Sequence, residues 1–372
     1  MTTTVLETPA PGPVRNGERA LAPDLARGAM LLFIALANAA NFAFAGQPGL
    51  DPAPHGLQRI ANFLMATFVD SRAYPVFAVM FGYGLVQLAR RNPNRVLLRR
   101  NALLIAFGAV HATLLYFGDF LGAYGIVGIV ATLLLVRRGD RFHKVVLWLW
   151  AYQTAYAAFL AVTAAIGWRG GTAGIVNSPN PSLAAHSYAR SILDRLAEWP
   201  LHTATVLGFV VIVWLGIWAG RRRVLEDPAA HRRLLVRAAA WSLGISTLGA
   251  LPYALMCAGM VHADPGTVEA MARLHAVTGE YGGVGYVALF GLVSSVPRFL
   301  APVVALGRRS LSGYLFQSIC WVTLFSPWAL HLTGTWTAIL AAVAVWVVSA
   351  LAAHAMRGRG PAETLLRKFA YR

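Results

Sequence analysis

Residues 101–126 read NALLIAFGAVHATLLYFGDFLGAYGI. The stretch is apolar enough to enter a bilayer, yet it carries His111 near its middle and Asp119 at the following turn. Ionisable groups at membrane depth cost about 2.5–3.5 kcal/mol on insertion scales, so they are rare and face a bundle interior or a watered cavity. The pair therefore marks a site inside a membrane bundle rather than a plain anchor.

The rest of the chain agrees with that class. Hydrophobic residues make up 57% and charged residues 13% of the 372, and the mean hydropathy is +0.57, whereas soluble domains carry about 25% charge. The expected fold is all-α: a polytopic membrane helical bundle of about ten transmembrane helices, forming one domain over residues 24–372. Residues 1–23 are rich in Pro, Thr and Ala without an apolar core, and read as a disordered cytoplasmic tail rather than a signal peptide. A net charge of +17 would point to nucleic acid in a soluble protein. Here the basic residues sit in short runs between apolar segments, so the partner is the lipid bilayer and no nucleic acid is expected. Lys144 and Lys368 are the two lysines among 32 basic residues, an arginine excess that reflects a GC-rich bacterial coding bias more than chemistry. Cys257 and Cys320 lie in apolar spans as small buried hydrophobes. Without CxxC or HExxH spacing, no metal is expected.

The hydropathy places spans at residues 28–46, 60–88 with a break around 70–75, 102–117, 120–136 and 145–167. Five more follow at 203–219, 238–260, 283–306 with an interruption near Pro297, 311–330 and 336–356. Alternating them from an inside N-terminus leaves 26 of the 32 basic residues inside, which sets both termini in the cytoplasm of a bacterial cell membrane. The outside loop at 168–202 is amphipathic in its second half, as an interfacial helix or a loop would be. A second outside loop is expected over 262–281.

Eight residues separate His111 from Asp119, about 12 Å and 80° along a straight helix. Both can then face one cavity, but a direct bond is out of reach and another helix or water must bridge them. A histidine there serves as a general base near neutral pH or simply donates to a neighbouring carbonyl. Asp70 and Arg72 either pair as a loop ion pair or frame the cavity mouth. Asn38 and Asn41 share a face of the first span, where asparagine commonly joins helices. Arg27 anchors topology or holds an anionic group. Ser310, Ser312, Tyr314, Gln317 and Ser318, after Arg308 and Arg309, read as packing polarity or as a helix terminus near a phosphate-bearing donor.

Together these residues resemble the YeiB-like family, the domain of unknown function 418. The blocks that carry the likeness are 22–43, 70–91, 99–130 and 307–319, with a terminal block at 359–372. Its sharpest parts are the string His111…Gly118-Asp119…Tyr124 and the terminal GPAE-LLR string. At the level of a superfamily, this family is similar to integral-membrane acyltransferases, among them the acyltransferase-three enzymes and the lysosomal heparan glucosaminide acetyltransferases. The resemblance implies that acyl-CoA donates from the cytoplasm to an acceptor on the far side, with the histidine role falling on His111 and the first-span arginine on Arg27. No bound cofactor is expected, and the resemblance does not name the acceptor, which a lipid, a sugar or a small molecule would each satisfy.

Three functions remain open. In an acyltransferase, His111 deprotonates the acceptor or briefly holds the acyl group, and Asp119 with Tyr124 or Arg72 sets its protonation. Asn38 and Gln317 then donate to a carbonyl oxyanion, and Arg27, Arg308 and Arg309 meet the donor. In a small-molecule transporter or exporter, His111 and Asp119 form a proton relay. In a scaffold, none of these residues reacts.

Overall fold

The computed structural model describes residues 21–293 and 295–371. Among these residues, sixteen α-helices follow one another: α1 Leu21–Ala43, α2 Leu57–Leu64, α3 Ala73–Ala89, α4 Asn94–Leu114, α5 Leu121–Leu134, α6 Asp140–His143, α7 Val145–Ile166 and α8 Pro181–Ala184. Then come α9 Tyr188–Val206, α10 Val210–Arg221, α11 Arg232–Cys257, α12 Pro265–Gly291, α13 Ala301–Arg308, α14 Ser310–Phe325, α15 Thr335–Ala355 and α16 Pro361–Ala370. Among the described residues, strand is confined to a few short pieces, with Gly46–Gln47 pairing antiparallel to Ser178–Pro179.

Among the described residues, six helical segments are long and apolar enough to cross a membrane: Leu21–Ala43, Leu57–Ala89, Asp140–Ile166, Tyr188–Arg221, Arg232–Cys257 and Thr335–Ala355. They support an integral membrane protein. The four other expected spans fall short for physical reasons. Helix α4 opens on Arg95, Arg99 and Arg100, and the expected span 283–306 is divided, since α12 ends at Gly291 and α13 begins only at Ala301. Helices α5 and α14 have only 14 and 16 residues. Trp148, Tyr152, Phe159, Val162 and Ile166 on α7 all face outward, an apolar surface that water would not tolerate and lipid requires.

Helix α1 is the hub, touching α3, α12, α13, α14 and α15. It meets α13 at glycine: a Cβ on Gly28 would lie 1.9 Å from the Val303 carbonyl oxygen, and one on Gly307 would lie 1.7 Å from that of Asp24. Backbones this close require glycine at both positions. The arginine-rich connections gather at one end of the bundle. There Arg90 reaches Glu226 at 3.0 Å, Arg221 reaches Asp140 at 2.7 Å, and Arg309 donates to the Met356 carbonyl at 2.8 Å. Exposed pairs of this kind contribute about 0–1 kcal/mol each, so they align the helix ends more than they hold the fold.

Four boundaries differ from the hydropathy reading. The tail expectation falls mostly on residues 1–20, outside the described residues, and α1 already begins at Leu21. The segment 262–281 is helix from Pro265 onward, because Asp264 caps it by accepting from Gly266 N at 3.0 Å and Pro265 suits the first helical position. The amphipathic half of 168–202 is helix α9, capped by Ser187, and it runs on through Pro200 toward α10. Helix α4 stops at Leu114, three residues before the expected 117. The expected break near Asp70 is present: a π-turn at Met65–Val69 precedes an extended Asp70, and Ser71 takes φ +62°.

Candidate functional site

The early end of α4 builds the site. After Leu114 the chain leaves the helix and turns back through residues 115–120 before α5 starts. This return brings Asp119 Oδ1 to 3.0 Å from His111 Nδ1, with both side chains fully buried. The sequence-based conclusion that a helix or water must bridge them is therefore wrong: a straight-helix extrapolation does not apply across a turn. The ring N–H is not aimed along the oxygen, so the contact is a close ion-pair geometry rather than a straight hydrogen bond. Asp119 Oδ2 accepts from Gly122 N at 2.7 Å in the first turn of α5, which fixes the carboxylate.

Glycine lets the two helices close over it. A Cβ on Gly108 would sit 2.2 Å from Gly122 N and 2.4 Å from Asp119 Oδ2. The exposed carbonyls at the end of α4 need a donor, and Arg195 of α9 supplies it, donating to the Leu114 carbonyl at 2.8 Å from a buried position.

On its other side, His111 Nε2 lies 2.9 Å from Ser318 Oγ of α14. The Tyr314 ring stands over the imidazole, centroids 4.8 Å apart. Gln317, next to Ser318, is fully buried, and neither amide atom has a hydrogen-bond partner among the described residues. The Tyr314 hydroxyl is likewise buried without a partner there. One face of α14 thus presents Tyr314, Gln317 and Ser318 at helical spacing, with free donors beside the imidazole.

The other expected site residues go elsewhere. Arg72 is buried in a second cluster: Nη1 donates to the Asp70 backbone carbonyl at 2.5 Å and lies 2.6 Å from His275 Nε2, and Nη2 donates to the Ser246 carbonyl at 3.1 Å. The Asp70 carboxylate instead meets the Ser71 hydroxyl at 3.2 Å and stands 3.8 Å from His275 Nδ1. The expected loop ion pair is replaced: the buried guanidinium is held by the Asp70 and Ser246 carbonyls and His275 rather than by the Asp70 carboxylate. Tyr124 donates to the Tyr74 carbonyl at 2.9 Å and stacks on Phe81, so it packs near the site without touching His111. Asn41 meets the Tyr116 hydroxyl at 3.2 Å, a joining role, while Asn38 is half-buried on α1.

At the arginine-rich end, Asp24 receives Arg27 and Arg308, each at 3.4 Å. The N-terminus of α14, where a phosphate-bearing donor was an option, is filled by the chain itself. Glu363 of α16 accepts from Leu311 N at 2.8 Å and Ser312 N at 3.1 Å. This is the physical content of the terminal GPAE string.

Sequence reasoning missed Ser318 as a partner of His111, His275 as a partner of Arg72, and His202, whose ring sits 5.2 Å from that of Phe120 beside Asp119. A recess of about 270 Å³, lined by Ile105, Gly122, Ile126, Trp199 and Leu207, comes up to the far side of Gly122. A larger one of about 480 Å³ lies away from the imidazole, between α7 and the start of α12.

Residues 219–372 match the model of a family described as a protein of unknown function, DUF418. Along nearly its full length the chain is similar to the uncharacterized protein YxaH of Bacillus subtilis (strain 168), 23% identical with 96% of each chain covered. It is also similar to the uncharacterized protein YeiB of Escherichia coli (strain K12), 33% identical over 30% of each chain. The DUF418 match thus covers the C-terminal part of the chain, and the likeness to YxaH runs along nearly all of it. The DUF418 match takes in Ser318, Gln317, Arg308 and Glu363, while His111 and Asp119 lie before it. An uncharacterized 39.9 kDa protein of Bacillus acidopullulyticus adds a 32% match, covering 32% of this chain and 34% of that protein.

Proposed function

We propose that this DUF418 protein is a multi-pass acyltransferase of the bacterial cytoplasmic membrane, moving an acyl group from cytoplasmic acyl-CoA to an acceptor at the opposite face. One observation carries the reading: a sealed carboxylate–imidazole pair whose second ring nitrogen faces a hydroxyl at 2.9 Å. A base oriented by a carboxylate in a buried site is suited to taking a proton from an attacking oxygen or nitrogen.

In this reading the chain crosses ten times, with the arginine-rich end and both termini in the cytoplasm. Arg27 and Arg308 flank the entry of the anionic donor, and Asp24 pairs with both until the donor's phosphates arrive. Gln317, with its unsatisfied amide, donates to the developing oxyanion, and Asn38 approaches from α1 as a second donor. Asp119 is the orienting group. Asp70, Arg72 and Tyr124 support the neighbouring helices instead of binding substrate at His111. The acceptor is a lipid, a sugar or a small molecule presented from outside.

The test is acyl transfer in proteoliposomes, with labelled acetyl-CoA on the arginine-rich face and lipid and sugar acceptors supplied outside. Wild type should consume the donor and release its thiol, and His111→Ala should not. Equal consumption by both would remove His111 from the reaction. A proton-coupled transporter is the second reading, and the separate His275–Asp70 pair favours it. It predicts no donor consumption by either protein and a pH change inside the vesicles that tracks solute.

A further inference from the structure

We propose that Ser318 is the nucleophile of this site, carrying the acyl group as a serine ester between donor and acceptor. The inference rests on the acyl-transfer reading and adds a covalent step to it.

The geometry of the ring leads there. Both nitrogens of His111 are engaged, Nδ1 with Asp119 at 3.0 Å and Nε2 with Ser318 Oγ at 2.9 Å. The proton within reach of the base is therefore that of Ser318, and an outside hydroxyl reaches Nε2 only by displacing it. The Ser318 hydroxyl has one proton and two acceptors, Nε2 and the Tyr314 carbonyl at 3.2 Å. The nearer is Nε2, and with that nitrogen accepting, the ring proton sits on Nδ1, beside the Asp119 carboxylate but not in a straight hydrogen bond with it. Carboxylate, imidazole and hydroxyl then stand in the order used by acyl-transfer triads on unrelated folds, where roles and geometry define the site. Ser318 lies eight residues into α14, about 12 Å from its arginine-rich end, so a thioester on a long flexible arm must enter from that end. The Gln317 amide and Tyr314 hydroxyl, both buried and unpartnered among the described residues, provide donors for the oxyanion.

The chemistry balances without a further reagent. Ser318 Oγ attacks the thioester carbonyl carbon, and its proton passes to Nε2. The tetrahedral oxyanion collapses, the C–S bond breaks, and the sulfur leaves as a thiol with that proton. The acceptor then attacks the serine ester and gives its proton to Nε2. Ser318 Oγ departs and takes the proton back.

The experiment uses the full chain in proteoliposomes with labelled acetyl-CoA, rapid acid quench, peptide mapping by mass and parallel measurement of thiol release. Wild type should carry one acetyl group on the peptide that contains Ser318, stable to neutral hydroxylamine. Ser318→Ala should lose both the adduct and thiol release by about 1000-fold or more. Ser318→Cys should move the acetyl group to a thioester that neutral hydroxylamine cleaves, which shows that the site still folds. Thiol release by Ser318→Ala within tenfold of wild type would overturn the inference while leaving His111 as the base of a direct transfer. An acetyl group found on His111, or none while wild type still releases thiol, would overturn it in the same way. No thiol release by wild type would overturn the acyl-transfer reading itself, and Ser318 with it.

Discussion

Asp119 Oδ1 stands 3.0 Å from His111 Nδ1, and neither side chain reaches solvent. A carboxylate in that place holds the ring with Nε2 turned toward Ser318. Asp119→Asn keeps the volume and an oxygen for Gly122 N but removes the charge. Its donor consumption should fall by about 10²–10⁴-fold, while thermal unfolding in detergent stays near wild type. Asp119→Glu should recover little, because an extra methylene does not fit beneath Gly108. Unchanged turnover in Asp119→Asn would reduce the carboxylate to a cap for α5.

The closeness of α4 and α5 is itself a requirement. A methyl at position 108 would meet Gly122 N at 2.2 Å and Asp119 Oδ2 at 2.4 Å, so Gly108→Ala must push the helices apart. Overpacking of this kind costs about 1–3 kcal/mol. The expected outcome is a lowered midpoint for thermal unfolding together with a loss of donor consumption, although the changed residue reacts with nothing. A variant of wild-type stability and activity would mean that the helices have room to slide.

Much of this was legible from sequence, and the omissions have physical causes. Long apolar runs between arginine clusters mark the six strong spans, and Asp70–Pro75 marks its own break. The contact between His111 and Asp119 was not legible, because it depends on where α4 ends, and Leu115, Tyr116 and Phe117 look as helical and apolar as the residues before them. Ser318 was visible as a polar residue in a span, but its partner lies 207 residues away in sequence. His275 was hidden for another reason: Glu269, Arg273 and Glu280 lower the hydropathy of α12, and the segment reads as a loop.

The cap of α12 gives a pH dependence. Hydrogen bonding from the Thr267 hydroxyl holds the Asp264 carboxyl below its ordinary value. A carboxyl depressed by folding contributes stability that is present above its unfolded value and is lost as pH falls through the folded one. Wild type should therefore be more stable than Asp264→Asn at neutral pH. The gap should close as pH drops below the ordinary carboxylate range. Thermal unfolding of the two proteins across that range checks it, and a gap that stays constant would assign the cap to the shape of the side chain and not its charge.

Glu363 ties the last helix to the bundle. Its carboxylate accepts from Leu311 N at 2.8 Å and Ser312 N at 3.1 Å and also receives the Ser312 hydroxyl at 2.5 Å, so it serves the N-terminus of α14 as a capping side chain would. Losing such a cap costs about 0.5–2 kcal/mol, and the negative charge at a helix N-terminus adds about 0.3–1 kcal/mol. Little else of α16 is buried, with Ala362 and Ala370 as its buried residues. Glu363→Ala should therefore free α16 while the other helices stay in place. Amide exchange should quicken at Leu311, Ser312 and residues 361–370, and trypsin should cut after Arg367 and Lys368 sooner than in wild type. Glu363→Gln, which keeps one acceptor oxygen without the charge, should fall between the two. Exchange in Glu363→Ala that matches wild type would show that apolar packing of α16 on α4 holds the C-terminal segment without the carboxylate.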